Sequence, residues 1–167
     1  MIRVLAVDDL VPNMPNLTTC NNERPTFRLL RMQPVADLVA DEQQGVRVES
    51  ASHTNLCRDF LRVAREEHAD LALVPEYCFP AELISEIVDD PGLWPATGAL
   101  WCLSCQGMGL QEFRADLGMW RNNGAVVIGD HLDGGVDNYF VNAVLYVFVT
   151  TDQHICVLPQ FKTYHAA

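Results

Sequence analysis

Positive charge is scarce in this chain: 11 Lys and Arg stand against 22 Asp and Glu, a net charge of −11 at pH 7 over 167 residues. An acidic surface of that kind repels a phosphate backbone, and no basic stripe with interleaved aromatics interrupts it, so nucleic acid is not an expected partner. Long apolar runs are missing too. None approaches the roughly 20 residues a helix needs to cross a bilayer, so no membrane partner is expected. The opening Met1-Ile2-Arg3-Val4-Leu5-Ala6-Val7 lacks the length and the cleavage site of a secretory signal. It is read as a first strand, and the protein as cytoplasmic. Internal repeats and low-complexity segments are also absent.

What is present suits a globular α/β protein. Hydrophobic residues make up 49% of the chain and charged residues 20%, a balance that argues against disorder and for near-continuous buried strands. The length places residues 1–167 in one domain. Six cysteines are present: Cys20, Cys57, Cys78, Cys102, Cys105 and Cys156. Most fall inside apolar elements, so reduced, buried thiols are expected in place of a disulfide framework.

The pattern along the chain predicts an alternating order, β-α-α-β-α-β-α-β-β-β. Residues 12–25, rich in Pro, Asn and Thr, form a loop long enough to act as a lid or binding loop. Leu29, Leu30, Val35, Leu38 and Val39 recur at helical spacing, so residues 27–44 are expected to hold a helix that begins near Pro34, with a short extended piece over 46–49. Helices are also expected over 55–68, 82–89 and 110–122, the last closed by Gly124. Strands are expected at 71–74, 99–104 and 125–129, followed by a Gly-rich loop over 131–137. The strands 139–149 and 154–161, joined by the turn 150–153, make a hairpin that gives the sheet a mixed edge.

Two strands deliver charge at their C-terminal ends, where open α/β sheets place ligands. Asp70-Leu71-Ala72-Leu73-Val74-Pro75 leads to Glu76, and the strand ending Pro159-Gln160-Phe161 leads to Lys162. Four features fall in one order: an opening strand, a strand ending Pro75-Glu76-Tyr77-Cys78-Phe79-Pro80, the strand Val126-Val127-Ile128-Gly129, and a hairpin carrying Asn142 and ending at Lys162. The arrangement resembles the nitrilase, or carbon-nitrogen hydrolase, superfamily over nearly the whole chain. Its specific motifs are those around Glu76 and Lys162.

The resemblance implies a four-layer α-β-β-α sandwich, of which this chain supplies an incomplete, N-terminal part with a mixed sheet flanked by helices. It implies Glu76 as general base and Lys162 as partner of the developing oxyanion, a division of labour that suits thiol attack on a carbonyl or nitrile carbon. Asn142 on the hairpin, Tyr77 beside Glu76 and His131 before the Gly134-Gly135 loop are candidate substrate contacts, with plain structural or solvated roles as the alternative for Asn142 and His131. The implied reaction hydrolyses a non-peptide carbon-nitrogen bond of a small amide or nitrile, without metal or organic cofactor.

The chain departs from the family pattern in three places. Phe161 stands where the family has Arg, His165 lies three residues after Lys162 instead of two, and the family's later Glu and nucleophilic Cys have no counterpart before Ala167. The chain alone is therefore expected to be inactive. A homo-oligomer, a longer chain or a partner protein is expected to cover the sheet face that an incomplete sandwich leaves open.

Other readings remain. A nitrilase-like fold without catalysis would serve as a binding or interaction module. Trp101-Cys102-Leu103-Ser104-Cys105 has the spacing of a thiol redox motif, although it lies within a strand and not at a helix start. A zinc site from Cys102, Cys105 and two of His131, His154 and His165 lacks a second paired motif.

Overall fold

A computed structural model describes residues 10–11, 13–24, 26–35, 37–42, 45–50, 52–129 and 140–161. In chain order the strands and helices are β1 (Leu29–Arg31), β2 (Leu38–Asp41), β3 (Gly45–Val48), α1 (His53–Glu66), β4 (Leu71–Phe79), α2 (Glu82–Asp89) and β5 (Leu100–Cys105). They continue as β6 (Met108–Gly109), α3 (Leu110–Asn122), β7 (Val126–Val127), β8 (Phe140–Val141), β9 (Ala143–Val149) and β10 (Ile155–Phe161). The opening strand and the loop over 131–137 lie outside the described residues.

Six strands form one mixed sheet in the order β1-β4-β5-β9-β10-β7. β1, β4 and β5 run parallel, and so do β10 and β7. β9 runs against both of its neighbours. Among the described strands the antiparallel one therefore sits inside the sheet, and not at the expected mixed edge. The reason is that β7, though it precedes the hairpin in sequence, docks on the outer side of β10.

The protein is thus a mixed α/β fold with a six-stranded sheet and three helices among the described residues. Helical spacing decides which face each helix buries. Cys57, Phe60, Leu61 and Ala64 of α1, Leu83, Ile84, Ile87 and Val88 of α2, and Phe113, Leu117 and Trp120 of α3 join one core. Alternate strand residues Trp101, Leu103, Leu145, Val147, Ile155 and Val157 complete it from the sheet. The other sheet face is covered less. Val11 and Leu17 pack there on Phe148 and Cys156, while Cys102, Val144, Tyr146 and Leu158 stay half-buried. The last turn of α3 ends at Gly124, whose φ of +91° is open to glycine at little cost and lets the Ala125 N–H reach back to the Trp120 carbonyl at 3.0 Å.

Residues 27–44 correct the sequence reading: β1 and β2 stand where a helix was expected. Tertiary hydrogen bonds explain it. The Arg28 N–H donates to Asp70 Oδ2 at 2.8 Å, the Leu71 N–H to the Arg28 carbonyl at 3.0 Å and the Met32 N–H to the Leu73 carbonyl at 2.9 Å, so β4 takes the groups a helix would pair internally. Pro34 also disfavours helical geometry at Gln33. The apolar residues that suggested the helix share no buried face, since Leu29 is 53% and Leu38 58% exposed.

Arg58 of α1 forks onto Glu86 of α2, with Nε and Nη2 donating to the two carboxylate oxygens at 2.8 and 2.6 Å. Those bonds hold the Glu86 carboxyl below the usual glutamate range, against a smaller opposing effect of burial. A carboxylate lowered in the folded state adds stability above its ordinary range and loses it as pH falls through the folded value. Glu86→Gln should therefore show a small loss of stability at neutral pH that disappears in acid. Denaturant melts of both proteins across that range check this; an equal difference at every pH would rule out the ion pair as its source.

No helix among the described residues is long and apolar enough to cross a membrane.

Candidate functional site

The site begins with an interruption in β4. Val74 pairs with Leu103 and Phe79 with Cys105, so residues 75–78 oppose the single residue Ser104. Pro75 has no N–H to give the ladder, and Tyr77 takes a left-handed φ of +60°. Together they lift the strand into an arch that re-aims its side chains. Glu76 becomes exposed, Tyr77 half-buried and Cys78 buried.

Left-handed backbone is costly for a bulky residue and cheap for glycine. Tyr77→Val should therefore be about 1–2 kcal/mol less stable than Tyr77→Gly, since both lose the ring and only valine keeps the backbone cost. Equal urea midpoints for the two variants would mean that the arch is not held in that conformation.

Glu76 lines a cleft of about 390 Å³. Its other walls are the end of β1 with the turn after it, at Arg31, Met32, Gln33 and Pro34, and Leu38 and Val48 of the β2–β3 hairpin. Arg31 Nη2 donates to Gln33 Oε1 at 3.1 Å. The lining thus combines a carboxylate and a guanidinium with an apolar floor, at the C-terminal edge of two parallel strands. Sequence reasoning missed Arg31 and Gln33 because it placed them ahead of a helix, whereas pairing with β4 brings them beside Glu76.

Register shows what shares this edge. Ser104 pairs with Val144 and Val144 with Gln160, so the arch, the start of β9 and the end of β10 stand in one row. Asn142 immediately precedes β9, and its buried Oδ1 has no hydrogen-bond partner among the described residues. Lys162 and His131 lie outside the described residues. Phe161, the last residue of β10, pairs with Ala143 and packs edge-on against Phe113. β5 and β9 separate β4 from β10, three strand spacings, or about 14 Å. Glu76, Asn142 and the end of β10 thus share an edge, but Glu76 and the end of β10 are not on neighbouring strands.

The thiols at Cys102 and Cys105 occupy opposite faces of β5, half-buried and buried. Residues three apart in a strand are about 10 Å apart at Cα, beyond the ~7 Å limit for a disulfide. Desolvation pushes the Cys102 thiol up to about 11. Burial also pushes Cys105 up, with the charges of Asp116 and Glu82 adding to it. Neither is held as a thiolate near neutral pH, the form that thiol chemistry needs.

A different group of donors lies beneath the arch. His53 Nε2 is 3.5 Å from Cys57 Sγ and 3.4 Å from Cys78 Sγ, and its N–H donates to the Cys78 carbonyl at 2.6 Å. The Cys57 contact lowers the Cys78 thiol to about 7, with His53 helping and burial opposing. The same contact, with burial, pushes the Cys57 thiol up. The sequence signal was the four-residue step from His53 to Cys57, which the reading lost by starting this helix at Asn55.

The fold and the edge cleft define a mixed α/β protein with a small-molecule-sized cleft between the carboxyl end of β1 and the interruption in β4. No family model, curated protein or solved structure matches the chain.

Proposed function

We propose that the chain is nitrilase-like and that the Glu76 cleft is its site for small amides or nitriles. The observation that carries this reading is Glu76 itself, lifted by the arch 75–78 into the cleft at the sheet edge that β10 also reaches. An amide offers N–H to a carboxylate and C=O to a guanidinium, and Glu76 and Arg31 line the same cleft. The layering adds support. Helices cover one sheet face, while Cys102, Val144, Tyr146 and Leu158 on the other stay half-buried, which is the face that a second sheet would cover in an α-β-β-α sandwich.

In the reaction proposed, Glu76 takes the thiol proton of a cysteine nucleophile and returns it to the departing nitrogen, Lys162 faces the developing oxyanion, and water then hydrolyses the thioester or thioimidate, freeing the thiol and releasing acid and ammonia or an amine. No cysteine of the chain stands in the family's nucleophile setting, so this chain should bind such ligands without turning them over. A panel of small primary amides and nitriles, titrated by ligand-observed NMR with ammonia release followed in parallel, tests both parts. Binding that competes among amides and nitriles, without ammonia, is the expected result; no binding by any member would overturn the proposal.

A second reading, a non-catalytic interaction module, draws on the edge strand. Among the described residues β1 ends the sheet, and Phe27, Leu29, Val35 and Leu38 are exposed on and around it. Unpaired strand edges with apolar side chains invite another chain. Binding of protein partners without any amide or nitrile ligand would favour this reading.

A further inference from the structure

We propose that His53, Cys57 and Cys78 bind a single zinc(II) ion that pins α1 to the arch of β4. His53 and Cys57 lie four residues apart at the start of α1, so their side chains share one helix face. Cys78 reaches them from β4 because the arch turns it inward. The three donor atoms lie within 4.8 Å of one another.

The spacing fits an ion. With Zn–N near 2.0–2.1 Å and Zn–S near 2.3 Å, nitrogen and sulfur ligands of a tetrahedral zinc lie about 3.6 Å apart. The two nitrogen–sulfur separations are 3.5 and 3.4 Å. The Cys78 carbonyl now meets His53 Nε2 at 2.6 Å, so zinc enters only as that peptide or the imidazole ring turns aside.

The chemistry selects the metal. Two sulfurs and an imidazole suit zinc and disfavour magnesium or calcium, which require oxygen. All three residues are buried, at 4%, 0% and 2% exposure, so thiolate–metal bonds would be shielded from competing water. Binding replaces the thiol protons, releasing up to two per ion, and moves the ring proton of His53 to Nδ1. The Cys78 carbonyl, which then loses the His53 N–H, keeps a donor in Gln106 Nε2 at 3.3 Å. The fourth position is left to water or an exogenous ligand, as in three-ligand zinc sites.

This site does not depend on the amide reading. Cys78 borders the cleft, but the ion would hold α1 against β4 whether or not an amide binds.

The test uses the full chain, reduced and stripped of metal, with cobalt(II) as the spectroscopic probe. Expected are one cobalt per chain, a near-ultraviolet sulfur-to-cobalt charge-transfer band, its bleaching by one equivalent of zinc, and a thermal midpoint that rises with zinc. The band should vanish in Cys57→Ala and in Cys78→Ala and persist in Cys20→Ala and Cys102→Ala. A wild-type protein without the band, or a band that survives loss of both Cys57 and Cys78, would overturn the site. If those variants fail to fold, X-ray absorption at the zinc edge of the loaded wild type decides. Two sulfur neighbours at about 2.3 Å support the site, and a shell of oxygen and nitrogen alone refutes it.

Discussion

Trp120→Ala should lower stability by about 3–5 kcal/mol, a large part of the 5–15 kcal/mol that holds a typical domain together. Trp120 is fully buried, and its Nε1 donates to Ser85 Oγ at 3.0 Å, tying α3 to α2. Its ring meets Phe113 edge-on, with centroids 6.2 Å apart, and Phe113 in turn packs on Phe161 at the end of β10. The cavity left by alanine would thus open between two helices and loosen the strand end at the proposed site. Trp120→Phe keeps most of the buried area and loses the hydrogen bond, so its cost should be nearer 1–2 kcal/mol. Urea unfolding of the three proteins measures both differences. A loss under 1 kcal/mol for the alanine variant would mean that the helical layer is not packed as described.

Glu76→Lys should weaken the binding of a small amide about 10- to 100-fold, because a hydrogen bond to a charged group is worth about 1.5–3 kcal/mol. Lysine cannot accept the amide N–H, and it places a second cation beside Arg31. Glu76→Gln keeps an acceptor of the same shape and should lose less. Both variants should unfold within about 0.5 kcal/mol of the wild type, as exposed positions do. In any form of the protein that turns amides over, Glu76→Gln should also slow ammonia release by about 10²- to 10⁴-fold, the usual contribution of a general base. Unchanged affinity in Glu76→Lys would remove Glu76 from the site.

Much of the scaffold was readable because local pattern and tertiary packing agree in it. The spacing of Phe113, Leu117 and Trp120 and the stop at Gly124 gave α3, and the apolar runs around Val147 and Val157 gave β9 and β10. Residues 27–44 misled because their helical spacing competes with pairing to β4, and that competition is settled by Asp70 and Leu73, some 40 residues on. The position of β9 inside the sheet depends on where β7 docks, which no local pattern encodes.

The candidate site divides in the same way. Glu76 could be picked out from its strand, but the arch that exposes it depends on a register shift between Val74 and Phe79. The local pattern ends the strand before Glu76, whereas pairing resumes at Phe79 and makes the carboxylate part of an interruption. His53 and Cys57 carry a local signal in their spacing. Their meeting with Cys78 follows only from the packing of α1 on β4, which no local pattern encodes.

The most direct test of the central claim is a crystal structure of the chain grown with a small primary amide. The account predicts the amide in the cleft between Glu76 and Arg31, with its N–H toward the carboxylate. An amide bound elsewhere with that cleft vacant, or one turned so that Glu76 makes no contact, would contradict it.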